Sequence, residues 1–370
     1  MNTKRNGSHP SVFMPGYVSL SENADLQRIT GGILYDYMIG KRFETEGWTV
    51  KYFDMESLPG FAKKFKYPAT PRLRRASCGY DILVTDLGSS TLTMGLLEEF
   101  RNSGKLSVMI CHHFRQHLEK TPIRRLLYRI SEERVVRTAN LLVANSSHTF
   151  RKLEAMGRDS DDIVLARPGL SVPVVESPSI RREPTKILTV CGIEPRKGVL
   201  EMVKALKESG LEGANLTVAG ELHDDSEYLG TVRKEVSDLG LNSRVRFTGK
   251  LDHMSLLQEY RSADVFMMLS YWEGYGMAIA EAMAFGLPVI STTAGAIPDL
   301  VDNGITGLLV EPGDWKKASM YLRDLFMDDS LRRRLSQAAL ETASGFPSWD
   351  STTKSVFETV QERLKRKGQL

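Results

Sequence analysis

The sequence predicts an α/β protein made of two doubly wound, Rossmann-like parallel-sheet domains, and three observations carry that prediction. Short apolar runs alternate with segments of helical composition along most of the 370 residues. The alternation breaks once, at the proline-bearing stretch SVPVVESPSIRREPT (171–185), and then restarts. The chain is also long for a single core, so two domains are the default.

The first half opens with an apolar strand at Ser11–Met14, then Pro15 and Gly16. Gly31 and Gly32 begin a helix through Ile33, Leu34, Tyr37, Met38 and Phe43 that ends near Gly47, and Thr49–Phe53 forms the next strand. Strand, glycine turn and helix in that order start a doubly wound unit. The pattern continues with Asp81–Thr85, a helix through Leu96–Phe100, the strand Ser107–Cys111, a basic helix Pro122–Thr138, then Asn140–Ala144, Ser146–Met156 and Ile163–Ala166. The second half repeats it from Lys186–Val190 to the buried strand Ala263–Leu269. Helical patterns follow at Trp315–Met327 and Ser330–Ser344, and a last helix runs from Trp349 towards Lys365. The expected domains are 1–172 and 186–346, with 173–185 as linker and 347–370 as a C-terminal helix. Sheets of this kind bind ligands outside the carboxyl ends of their strands, and two of them are expected to face a cleft.

Apolar content of 41% and charged content of 26% describe an ordinary globular protein. No run reaches the length of a membrane span, and Met1–Pro10 has no apolar signal core, so a cytoplasmic protein is expected. Cys78, Cys111 and Cys191 lack metal or redox spacing and read as buried free thiols. The net charge of +3 hides an asymmetry: residues 1–180 hold 25 Lys and Arg against 19 Asp and Glu. Basic patches include Lys63, Lys64 and Lys66, then Arg72, Arg74 and Arg75, and later Arg115, Arg124, Arg125 and Arg129. Two readings stand: a solvated basic face, or attraction to an anionic membrane surface or anionic acceptor. Aromatics are not interleaved with these charges, so nucleic acid is not an expected partner.

The most informative stretch is Tyr271–Asp314, YWEGYGMAIAEAMAFGLPVISTTAGAIPDLVDNGITGLLVEPGD. A turn through Glu273, Gly274, Tyr275 and Gly276 separates the buried strand from a helix beginning at Met277. Such a turn leaves the first helical N–H groups free to meet an anion such as phosphate. Glu273 and Glu281 flank it, so the expected ligand carries phosphate at one end and hydroxyls at the other. A nucleotide sugar has that shape.

This stretch closely resembles the donor-site signature of the GT-B glycosyltransferases of family 4. Present in order are a Glu, a Gly-aromatic-Gly turn, a second Glu eight positions on, AMAFGLPVI, GAIPD and NGITGLLVEPGD. The resemblance implies the GT-B fold, a retaining transfer from a nucleoside-diphosphate sugar to an acceptor hydroxyl, and a last helix that crosses back to the first domain. It implies no cofactor beyond a UDP-, GDP- or ADP-sugar co-substrate. Glu194-Pro195-Arg196-Lys197-Gly198 is similar to the segment whose Lys binds the donor diphosphate. The family has Gly-Arg upstream; here Val190-Cys191-Gly192-Ile193 stands instead, which leaves Arg196 to take that arginine's part. Glu281 would accept both ribose hydroxyls, Glu273 would hold hydroxyls of the transferred sugar, and Gly274, Tyr275, Gly276 and Met277 would offer backbone N–H groups. Leu251, after Phe247-Thr248-Gly249, would lie near the base. His112, at the end of its strand, would hydrogen-bond a sugar hydroxyl. Gly16, Gly31 and Gly32 would let backbone approach the donor, with the loop 17–30 as an acceptor wall.

Either Glu taken alone is an ordinary helix-flanking acid; the spacing within the full motif favours the site. His112, His113 and His117 lack the H-E-x-x-H form of a zinc helix, so no metal is expected. Asp159-Ser160-Asp161 matches a D-x-D pattern but follows a helix rather than a strand end, and it is set aside. A related GT-B enzyme (an epimerase or a phosphorylase) and a catalytically silent nucleotide-sugar-binding subunit are the alternative functions.

Overall fold

The computed structural model describes residues 9–16, 31–55, 70–117, 119, 121–178, 181–222 and 226–370. They form two compact units, Met1–Pro168 with Ser348–Leu370, and Gly169–Pro347. In the first unit, β1 (Ser11–Gly16), β2 (Thr49–Asp54), β3 (Ile82–Asp86), β4 (Leu106–Cys111), β5 (Leu141–Ala144) and β6 (Ile163–Leu165) make one sheet in the order β2-β1-β3-β4-β5-β6. Every pairing is parallel. Parallel neighbours need crossovers, supplied by α1 (Gly31–Thr45), α2 (Thr70–Ser77), α3 (Ser90–Asn102), α4 (Pro122–Thr138) and α5 (Ser147–Ala155). Helices on both faces explain why β3, β4 and β5 read as unbroken apolar runs: two separate buried clusters lie on the two sides of the sheet.

The second unit repeats the design. Its strands are β7 (Lys186–Val190), β8 (Asn215–Ala219), β9 (Val245–Gly249), β10 (Val265–Met268), β11 (Val289–Thr292) and β12 (Gly307–Val310), in the order β12-β11-β10-β7-β8-β9. The helices are α6 (Val199–Glu208), α7 (Glu227–Asp238), α8 (His253–Ser262), α9 (Met277–Ala284), α10 (Trp315–Met327) and α11 (Asp329–Ala343). The segment ahead of β7 is tied to this unit: the Val175 N–H donates to the Ala284 carbonyl at 3.0 Å.

The last helix, α12 (Trp349–Arg366), completes the first unit from the far end of the chain. Val356, Phe357, Val360 and Leu364 fall at helical spacing and join the core beside α1. The Phe357 ring lies 5.0 Å from Trp48 and 5.9 Å from Phe43, centroid to centroid. Thr352 Oγ1 donates to the Arg167 carbonyl at 2.7 Å, fixing the start of the helix.

Three details depart from the sequence reading. The helix α2 is absent from it, because TPRLRRAS carries three arginines and only one deeply buried apolar residue, Leu73. Helix α3 begins at Ser90 rather than near Leu96, started by Asp86, which accepts the Ser89 N–H at 2.9 Å in the turn before it. Cys78 is exposed, unlike Cys111 and Cys191, because it follows α2 in a surface turn closed by Gly79. Lys63, Lys64 and Lys66 lie outside the described residues.

Candidate functional site

The second sheet reverses direction of growth between β7 and β10, which are neighbours in space and distant in sequence. The loops leaving two such strands diverge to opposite faces and open a crevice at their carboxyl ends. After β7 comes the turn Pro195–Lys197, and after β10 comes Ser270–Gly276. They are joined by backbone: the Tyr271 N–H donates to the Arg196 carbonyl at 2.8 Å. Gly198 makes this approach feasible. Its φ is +68°, and a Cβ there would lie 2.0 Å from the Leu269 carbonyl oxygen.

Three donors converge on one oxygen in this crevice. Lys197 Nζ lies 2.7 Å from Glu273 Oε1, Ser270 Oγ 2.9 Å and Arg196 Nη1 3.3 Å. Arg196 also donates to the Trp272 carbonyl at 3.1 Å. Glu273 is buried, and burial by itself would raise its carboxyl; Lys197 first and Arg196 next outweigh that and hold it below the usual carboxylate range. The site therefore keeps two cations at a strand end with their charge partly balanced by one internal acid. The Glu273 carbonyl is fixed as well, accepting the Ala296 N–H at 3.0 Å.

Gly274, Tyr275, Gly276 and Met277 follow directly. Gly276 has φ +102° and is the residue from which α9 starts, so the opening N–H groups of that helix face the turn. Glu281, one turn further in, is buried within α9, where Tyr260 Oη donates to its Oε2 at 2.8 Å. Burial pushes the Glu281 carboxyl up to about 7, with the Tyr260 hydrogen bond acting in the opposite direction. Leu251 follows β9, two strands from the switch point, and is packed in part against the core of the unit.

The first unit holds a second constellation. His112, just past β4, has its Nε2 2.8 Å from Asp36 Oδ1 on α1, and the Tyr35 ring meets the imidazole edge-on at 5.4 Å. Burial would lower the His112 pKa, but the Asp36 carboxylate overrides it and raises the imidazole above its ordinary 6.5. Gly32 belongs here: a Cβ on it would sit 3.7 Å from the His112 ring. Asn145 Nδ2 donates to the His112 carbonyl at 3.1 Å, and Glu132 accepts the Arg115 N–H, so the loop after β4 is held at both ends. Gly31 is the exposed first residue of α1, and Gly16 ends β1. The loop 17–30 lies outside the described residues.

His117 contacts Lys152, and Asp159 accepts the Asp161 N–H at 3.0 Å to start a short turn. Among the described residues no group of three or more His, Cys, Asp and Glu is placed to hold a metal ion. The sequence reading missed Asp36, Ser270 and Tyr260. Asp36 left one trace, an acid within the otherwise apolar run ILYDYMI; Ser270 and Tyr260 left none.

Residues 175–342 match the family model described as glycosyl transferases group 1. A D-inositol 3-phosphate glycosyltransferase of Corynebacterium efficiens is 29% identical over 251 residues, covering 63% of this chain and 59% of that protein. The chain thus spans about three fifths of the length of such curated relatives. Among solved structures, a sucrose-phosphate synthase from Thermosynechococcus elongatus superimposes with a TM-score of 0.77 at 18% identity, over 97% of this chain and 100% of that one. Anabaena Alr3699/HepE, in complex with UDP and glucose, gives a TM-score of 0.75 at 17% identity, over 96% and 100%. The fold is GT-B, and the residues that match the family model include both Glu273 and Lys197.

Proposed function

We propose that this chain transfers a sugar from a nucleoside-diphosphate sugar to an acceptor hydroxyl with retention of configuration. The observation that carries the reading is the convergence of Lys197 and Arg196 on Glu273 at the switch point, beside the start of α9. Negative charge grows on the diphosphate as the glycosidic bond breaks, and preorganised cations stabilise that charge more than they stabilise the intact donor. The opening N–H groups of α9 add to the same effect. Glu281, steadied by Tyr260, is the acceptor for the ribose hydroxyls, and the backbone from Gly274 to Met277 lines the phosphate and sugar. Leu251 is assigned to the base side. Glu273 has two assigned tasks, balancing the cations before the donor arrives and holding hydroxyls of the transferred sugar.

In the first unit, the His112–Asp36 pair is assigned a hydrogen bond to a sugar hydroxyl, with Gly31 and Gly32 leaving room beside it. Retention fits same-face attack, in which the departing phosphate takes the acceptor proton and no protein nucleophile is needed. The UDP-bound Anabaena neighbour supports the donor class, and the named relatives support sugar transfer. The acceptor is a hydroxyl of a glycan, glycolipid or small molecule, and the excess of Lys and Arg in the first half supports an anionic membrane surface as a further partner.

Release of nucleoside diphosphate from UDP-, GDP- and ADP-sugars tests the proposal. Wild type should turn over one of them. Lys197→Ala should cut that rate by roughly 100-fold, about 3 kcal/mol of lost transition-state stabilisation, and Glu281→Ala should weaken it severely. Full activity in either variant with every donor would sink the assignment, and binding with no diphosphate release would leave a silent binding subunit.

A further inference from the structure

We infer that the outward face of α4 docks the protein on an anionic lipid bilayer surface. Helix α4 is anchored only by its second half, where Glu132, Val135, Val136 and Thr138 are buried. Its first half stands clear. Ile123, Leu126, Leu127 and Ile130 are between 46% and 72% exposed. At about 100° per residue, positions i, i+3, i+4 and i+7 fall in one stripe about 100° wide. Among the described residues, no other helix brings four large exposed hydrophobics together. An apolar stripe of this kind is costly to leave in water and marks a surface that something covers.

Charge identifies what covers it. By the same helical geometry, Arg124 and Arg129 lie about 60° beyond the two edges of the stripe, one on each side. Long basic side chains beside an apolar face can extend to headgroups while the face enters the acyl boundary. Arg125 points elsewhere and donates to the Glu119 carbonyl at 3.0 Å. No acid occurs from Pro122 to Ser131, and residues 101–150 as a whole carry nine Lys and Arg against three Asp and Glu. Glu133 falls between the stripe and Arg129, 4.0 Å from its guanidinium, and further along the same face come Arg134, paired with Glu98, and Arg137. A second copy of the chain would oppose arginine to arginine across the stripe, whereas an anionic bilayer complements both the apolar residues and the charge. No described helix is long and apolar enough to cross a membrane, so the contact is a docking on the surface.

The inference rests on the anionic-surface reading given above and names the element responsible for it. Flotation of the full chain with phosphatidylcholine vesicles, with and without phosphatidylglycerol, tests both. Wild type should float with the anionic vesicles, and binding should fall as salt rises. Leu126→Ser with Leu127→Ser, and separately Arg124→Glu with Arg129→Glu, should each reduce binding by about tenfold or more. Both variants should keep the wild-type melting temperature, because the altered side chains are exposed. Undiminished binding by either variant would overturn the assignment to α4 and leave a membrane partner standing. Equal binding to neutral vesicles, or none to anionic ones, would overturn both. Dimerisation by sedimentation that the Leu126/Leu127 variant abolishes would mean that the face is a self-association surface, and would overturn the lipid proposal.

Discussion

Glu281 is buried and His112 half-buried, their proton affinities are displaced by their surroundings, and each displacement has a sign that can be measured. A carboxyl raised by burial favours the fold while it is protonated. That contribution is whole below its ordinary value of 4.5 and is lost as pH rises through about 7. Replacing it by an uncharged amide removes the loss. Between pH 5 and pH 8 the stability of Glu281→Gln relative to wild type should therefore improve by an amount on the order of 3 kcal/mol, read by urea unfolding at both pH values. Donor affinity should move the other way in wild type, tightening as Glu281 ionises, because the carboxylate is the better acceptor for two hydroxyls. His112 has the same sign, although there it is the charged form that its neighbour favours. Its raised pKa contributes stability below the ordinary 6.5 that disappears as pH climbs through the folded value. Asp36→Asn should lower the imidazole pKa in an NMR titration; an unchanged titration would remove Asp36 as the cause.

The turns that present these residues depend on how much room the backbone leaves. Gly198 and Gly79 both have positive φ, at +68° and +89°. A Cβ on Gly198 would collide with the Leu269 carbonyl, whereas nothing lies within 4 Å of one on Gly79. Gly79→Ala should thus cost only the left-handed strain, about 1 to 2 kcal/mol. Gly198→Ala should cost more, and should also weaken donor turnover by shifting the turn that carries Lys197. Equal losses in the two variants would contradict this difference. The same loops explain what the sequence could reveal. Glu273, Gly276 and Glu281 were legible because they are contiguous in one motif, and Arg196 and Lys197 because their segment is distinctive. Tyr260 was not, since its role arises only when α8 packs against α9, and Ser270, three residues before Glu273, lies just outside the motif. Helix α2 was hidden for a different reason: arginines fill positions where an apolar period would have announced a helix.

At the scale of the whole molecule, the alternation of strands and helices was enough to read two doubly wound units, but not the strand order in either sheet. The dependence of the first unit on α12 was likewise suggested only by resemblance; in the structure it rests on Phe357 against Trp48 and Phe43. Phe357→Ala should destabilise the first unit by about 3 to 5 kcal/mol. Urea unfolding followed separately in each unit should show that change without a matching one in residues 169–347. The central claim concerns the second unit, where two cations, a buried acid and a helix start meet at one switch point. Thermal unfolding in the presence of UDP-, GDP- and ADP-sugars tests it most directly, since a ligand that binds only the folded state raises the melting temperature. One donor class should raise it for wild type, and the rise should vanish in Lys197→Ala and Glu281→Ala. No rise with any sugar nucleotide, or an undiminished rise in both variants, would contradict it.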